Sequence, residues 1–129
     1  VDLKRLLDTN AVLYLLGGRL AEALPAGEYF VSVISEMELL SWPLLSSGDE
    51  ARIRDFLAAV KILGLESNVR DRAVEVRKRY GLKLPDAIIA ATALVSDADL
   101  VTNDRKMARV PGLRVYSLLL RDEGEGVRH

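Results

Sequence analysis

Asp8, Glu38, Asp86 and Asp104 are the residues of this 129-residue chain whose types and settings point to chemistry. Asp8 closes the apolar run Leu6-Leu7, and Asp104 follows Leu100-Val101-Thr102-Asn103. Glu38 lies one turn into a segment of helical character that opens near Ser35. Asp86 follows Pro85 at the head of the apolar stretch Ala87 to Leu94. Carboxylates gathered in one cleft repel one another and raise each other's pKa unless a divalent cation neutralises them. An all-oxygen donor set selects a hard cation, Mg²⁺ or Mn²⁺, which keeps several waters and reaches toward phosphate oxygens. That arrangement suits phosphodiester hydrolysis, with one ion to activate water and room for a second about 3.5 to 4 Å away.

Other chemistries lack their residues. The chain has no cysteine, and its one histidine is the terminal His129. Disulfides, thiolate metal sites, cysteine nucleophiles and a Ser-His-Asp triad are therefore excluded as a basis for function. No Walker loop or G-x-G-x-x-G fingerprint occurs. A phosphatase of the Asp-x-Asp type requires a second Asp where Asn10 stands. Eighteen basic against nineteen acidic side chains give a net charge of −1, so any nucleic-acid footprint must be local. Aromatic residues, at 5%, are too few for a stacking platform under single-stranded bases.

The acidic residues need elements that bring them together, and the periodicity supplies them. Leu3–Leu7 reads as a strand, Asp8-Thr9-Asn10 as a turn, and Ala11–Leu16 as a helix ended by Gly17-Gly18. A second short helix is expected over Arg19–Leu24, a strand over Tyr29–Ile34, and a helix capped by Ser35 and running through Leu45. Ile53, Phe56, Leu57 and Val60 recur at spacings of three and four, so Asp49–Leu63 predicts an amphipathic helix capped by Ser47 or Asp49, and Val60–Leu65 a brief strand. Asn68–Tyr80 predicts a charged helix with Val69, Ala73 and Val76 on its inner side and Gly81 at its end. Pro85 opens the most apolar helix. Leu100–Thr102 and Leu113–Tyr116 are the last strands. Short strands alternating with helices imply an α/β fold with a central, mainly parallel sheet of four to five strands. In such folds ligands sit beyond the carboxyl ends of the strands, where strand order reverses. Asp8 and Asp104 occupy two such ends. Ordinary capping also explains an Asp at a strand end, but Asp86 has apolar neighbours and a helix start already provided by Pro85.

One domain over residues 1–120 is expected, with a polar, flexible tail over 121–129. With no apolar run of the roughly 18 to 20 residues that span a bilayer, and no signal-peptide core at the start, a soluble, cytoplasmic protein is expected.

Four segments, Leu6-Leu7-Asp8-Thr9-Asn10, Ser32-Val33-Ile34-Ser35-Glu36-Met37-Glu38-Leu39-Leu40, Leu84-Pro85-Asp86-Ala87-Ile88-Ile89-Ala90-Ala91 and Leu100-Val101-Thr102-Asn103-Asp104, together resemble the PIN-domain ribonucleases, and among them the VapC toxins of type II toxin–antitoxin systems. The resemblance implies a three-layer α/β/α domain and a Mg²⁺- or Mn²⁺-dependent endoribonuclease. Asp8, Glu38, Asp86 and Asp104 are then its metal-binding catalytic quartet. Thr9 or Asn10 would orient the Asp8 turn, and Thr102 with Asn103 would support the last strand end. The chain departs from many relatives at Lys106-Met107, where they carry another acidic residue followed by Phe. Glu38 is preferred to Glu36, which points about 200° away on a helix. Asp97 and Asp99, before the last motif, are read as solvated loop residues.

From Arg70 to Lys83 six basic residues face two acidic ones. Arg77, Lys78, Arg79 and Lys83, with Arg105 beyond the last motif, are candidate RNA contacts, the alternative being a solvated helix face with internal ion pairs. Trp42-Pro43-Leu44-Leu45 exceeds what a small sheet can hide and suggests a homodimer seam or a groove for the small VapB-type antitoxin that the resemblance implies. The rival reading is a non-catalytic receiver-like or RNA-binding α/β module in which Asp8 and Asp104 merely cap helices.

Overall fold

The computed structural model describes residues 3–121. The tail expected over 121–129 therefore lies, beyond Arg121, outside the described residues. Five parallel strands form one sheet: β1 (Lys4–Leu7), β2 (Glu28–Ser32), β3 (Lys61–Leu63), β4 (Asp99–Val101) and β5 (Val115–Tyr116), in the order β3-β2-β1-β4-β5. The helices are α1 (Thr9–Leu16), α2 (Val33–Leu40), α3 (Ser47–Ala59), α4 (Ser67–Tyr80) and α5 (Leu84–Ser96), with a 3₁₀ helix over Arg105–Arg109.

Alternation along the strands builds three layers. Leu6, Phe30 and Leu100 point to one face and pack with Val76 of α4, Ile89, Ala90 and Ala93 of α5, and Met107. Leu7, Val31 and Val101 point to the other and meet Val12 of α1, Leu39 of α2, and Ile53 and Leu57 of α3. Residues 87–93 of α5 are all buried, because the helix lies between the sheet and α4 and is apolar all round. The α/β/α architecture is thus the one expected.

The differences from the expected elements have local causes. Ser32, the last residue of β2, accepts a hydrogen bond from the Ile34 N–H at 3.1 Å, so α2 starts directly at the strand end and not at Ser35. It stops at Leu40, five residues before the expected end; Pro43 disfavours helical backbone at Trp42, and Leu44 adopts a left-handed conformation with φ 64°. Residues 19–24 form no helix. The Ala21 N–H donates to the Leu119 carbonyl at 2.9 Å and the Arg121 N–H to the Arg19 carbonyl at 2.7 Å, with Leu20 and Leu120 bridged antiparallel. Long-range backbone pairing overrides the local helical tendency there.

Asp99 is not a solvated loop residue. It opens β4 in register with Arg5 of β1, and its carboxylate pairs with Arg5 at 3.6 Å and with Arg114 at 2.6 Å. Arg114 also reaches Asp97 at 3.1 Å. The Arg5 side chain is only 8% exposed and its guanidinium lies 5.2 Å from the Tyr116 ring centre. This polar row crosses the sheet at the end opposite Asp8 and Asp104. Asp99→Ala leaves the Arg5 charge buried without its carboxylate, and should destabilise the fold by about 2 kcal/mol; a fully buried pair loses roughly 3 to 5, and Asp99 is partly exposed. Urea denaturation measures this.

Candidate active site

Strand order reverses between β1 and β4: the chain builds outward from β1 through β2 to β3, then returns to lay β4 on the other side of β1. The crevice at that reversal lies between the carboxyl ends of β1 and β4. Leu7 and Val101 are register partners, and the Asp8 N–H donates to the Val101 carbonyl at 3.1 Å. The sheet itself therefore sets Asp8 beside the segment Thr102–Asp104.

Thr102, fully buried, joins the two acids. Its hydroxyl donates to the Asp8 carboxylate, and its oxygen accepts the Asp104 N–H at 3.0 Å. Both acids also cap helices. Asp8 Oδ1 accepts the Ala11 N–H at 2.7 Å at the start of α1, and Asp104 Oδ1 accepts the Lys106 N–H at 2.9 Å at the start of the 3₁₀ helix. Capping alone, the rival account of these two, is thus a role that both perform.

Glu38 comes from α2 and is held by Thr9, whose hydroxyl oxygen lies 2.6 Å from Glu38 Oε1 and 2.8 Å from the buried Ser35 hydroxyl. A hydroxyl has one proton to give, so Thr9 donates to the carboxylate and accepts from Ser35. Thr9 thus orients Glu38 where it was expected to support the Asp8 turn, while Asn10 is exposed on α1. Asn103 also turns elsewhere: its amide brackets Leu118, donating to the carbonyl at 3.0 Å and accepting the N–H at 2.7 Å. It fastens the chain after β5 to the rim.

Asp86 stands in the first turn of α5, where Pro85 and the helix N-terminus are already in place. Burial raises its carboxyl pKa above the ordinary 3.8, and the charges of Asp104 and Glu38 raise it further against the opposing Lys106 and Lys83. Asp8 is raised too, chiefly by burial, with the Thr102 and Ala11 hydrogen bonds lowering it and Asp104 and Asp86 raising it. All four sequence-selected acids are therefore coupled electrostatically, with Asp86 feeling both Asp104 and Glu38 and acting in turn on Asp8. Among the described residues no three acidic side chains come close enough together to form a cage that could hold a metal ion. Mg²⁺ demands no such cage; it is typically held by one or two carboxylates and retains its waters. An all-oxygen set of mutually repelling, partly desolvated acids fits such a cation.

The basic residues divide. Lys83, at the residue before α5, acts by its charge on Asp86, and so does Lys106, which stands where many relatives carry an acidic residue. Its place two residues after Asp104 was the available signal. Arg77 instead donates to the Leu82 carbonyl at 3.3 Å across the α4–α5 turn. Arg79 and Arg72 pair with Glu75 at 3.6 Å each, and with Lys78 they line a groove along α4 that reaches Val95. Val95 is nine residues from Asp86, about 13 Å along the helix, so that groove is separate from the acids. Arg105 is exposed beside Asp104.

A carboxyl with a raised folded-state pKa holds its proton more readily in the folded than in the unfolded chain. Stability therefore falls as pH rises from below 3.8 through the raised values of Asp8 and Asp86. In EDTA at pH 7, Asp86→Asn should raise the melting temperature by about 2 to 4 °C and flatten the acid-range dependence, as read by calorimetry.

Comparison with known proteins gives four findings. A family model described as PIN domain matches residues 5–113. A toxin–antitoxin complex from Klebsiella pneumoniae contains a chain 34% identical to this one, with a TM-score of 0.72 over 84% of this chain and 94% of that one. VapBC2 from Rickettsia felis bound to a DNA fragment from its promoter matches in fold, at 21% identity and TM-score 0.73 over 90% and 99% of the two chains. An uncharacterized protein of Archaeoglobus fulgidus is 43% identical over 53 residues, 41% of this chain and 84% of that protein.

Proposed function

This chain belongs to the PIN domain family, and from that premise we propose that it is a VapC-type toxin, an endonuclease that hydrolyses RNA phosphodiester bonds with Mg²⁺ or Mn²⁺. One observation carries the reading. Asp86 stands at the head of a helix buried over residues 87–93 and feels the charges of Asp104 and Glu38, so that burial and repulsion both disfavour its own charge while the helix start needs no further cap. A capping-only, non-catalytic module has no use for that arrangement. A cation does.

Asp8 and Asp104 would hold the ion from the two strand ends, with Glu38 and Asp86 accepting hydrogen bonds from its waters or joining as ligands. When bound, the ion supplies the charge that activates water and counters charge on the reacting phosphate. Thr102 keeps Asp8 and Asp104 in a fixed relation, and Thr9 does the same for Glu38. Such partners typically contribute 10- to 100-fold in metal affinity or activity. Lys83 lies on the rim beside Asp86, within reach of the RNA backbone that would approach the cleft. Among the described residues no helix is long and apolar enough to cross a membrane.

The partner we propose is a small VapB-type antitoxin. Met37, Trp42 and Leu44 expose apolar surface on α2 and the turn after it, Trp42 to 56%, beside the helix that carries Glu38. An antitoxin seated there would lie close to the acidic cleft. Buried aromatic anchors dominate such interfaces, so Trp42→Ala should weaken antitoxin binding by at least about 30-fold, roughly 2 kcal/mol, in a calorimetric titration.

The chemistry is tested on purified protein with structured RNA. Cleavage should require Mg²⁺ or Mn²⁺, stop in EDTA, and fall by at least about a hundredfold in Asp8→Asn, since even outer-sphere changes cost up to that much. Asn caps a helix as well as Asp does, so the variant keeps the start of α1. Cleavage that persists in EDTA or in Asp8→Asn would contradict the reading.

A further inference from the structure

We infer that the outer face of α4 is a self-complementary surface on which a second copy of this chain docks, the two helices lying antiparallel about a two-fold axis near Val74. Val69, Ala73 and Val76 turn inward to the core, so the opposite side of α4 faces out. There Asp71, Val74 and Lys78 follow one another at spacings of three and four, in line along the helix. Val74 is 55% exposed, and Val95, near the end of α5, lines the same groove, a concavity of about 640 Å³.

Charge decides which occupant fits. Glu75 takes up both Arg72 and Arg79, at 3.6 Å each, within the helix itself. Among the described residues Asp71 and Lys78 have no ion pair. They are opposite in sign and two turns apart, about 10.5 Å, with Val74 between them. A helix running the other way presents the same pattern reversed. Asp71 of each copy then meets Lys78 of the other, and the two Val74 side chains meet at the centre. That is the isologous geometry of a two-fold dimer, in which residue i contacts j and j contacts i. Parallel pairing would set like charges opposite each other. A nucleic-acid backbone is a poorer match, because the groove's three basic residues are interleaved with two acidic ones. Exposed ion pairs add little affinity, so the charges fix the register while the apolar contact holds a weak, concentration-dependent dimer. Leu40 and Leu45, which flank the Trp42 turn, pack on the other face of the sheet. Pairing through α4 therefore leaves that turn open to an antitoxin.

The test is sedimentation velocity on the full chain over a concentration series from micromolar to submillimolar. Wild type should dimerise reversibly. Asp71→Lys and Lys78→Glu each set like charges across the seam and should stay monomeric where wild type is dimeric. Mixed in equal amounts, the two variants present opposite charges again at both contacts and should form a heterodimer. Both positions are exposed, so neither variant disturbs the core. Wild type that stays monomeric throughout, single variants that dimerise as well as wild type, or a mixture that stays monomeric would each overturn the inference. RNA affinity on the same proteins is the second readout: monomeric wild type whose RNA binding is lost in Lys78→Glu would assign this face to RNA instead.

Discussion

Like charge held close in partly dry surroundings is the constraint around which this molecule is organised. Asp8, Glu38, Asp86 and Asp104 come from four different elements, and folding brings them into one crevice against their own repulsion. A sequence under selection for stability alone has inexpensive ways to avoid that cost, since Asn caps helices as well as Asp. What offsets it in the protein is modest and specific. The N-termini of α1 and α5 favour negative charge, Thr102 and Thr9 donate to the carboxylates, and Lys83 and Lys106 stand nearby. These devices position the acids without neutralising them.

The rest of the fold supplies rigidity for that placement. Asp8 is fixed by a sheet hydrogen bond to Val101, and Asp86 by a helix whose residues 87–93 are all buried between the sheet and α4. Neither can relax away from its neighbours without breaking strand pairing or opening the core. At the far end of the sheet Arg5, Asp99 and Arg114 form a paired row in which opposite charges meet. One sheet thus has a compensated polar end and an uncompensated acidic end, and the second is where a cation and a phosphate backbone have something to offer.

Much of this was legible in the sequence because it follows from local signals with long reach. The apolar runs ending at Asp8 and Asp104 predicted strand ends, Pro85 predicted the start of α5, and Val69, Ala73 and Val76 predicted the buried face of α4. The parallel topology then required the two strand-end acids to be neighbours. Less legible were features that depend on which partner a side chain finds. Thr9 was read as part of the Asp8 turn, yet it serves Glu38, 29 residues away. Asp99 was read as solvated, yet β1 delivers Arg5 to it in register. Residues 19–24 have helical composition but form no helix, and residues 19–21 pair with residues 119–121 at the other end of the described chain. Arg79 has the look of an RNA contact in a list of charges, but its neighbour on the helix is Glu75. In each case a long-range contact decided between two locally reasonable outcomes.

The central claim is that these acids share a divalent cation, and crystals grown with Mn²⁺ and measured at its absorption edge test it most directly. The account predicts an anomalous peak in the crevice between the ends of β1 and β4, about 2.1 Å from at least one carboxylate oxygen of Asp8 or Asp104. Saturating Mn²⁺ with no peak there, or a peak held only by acids outside this quartet, would contradict it.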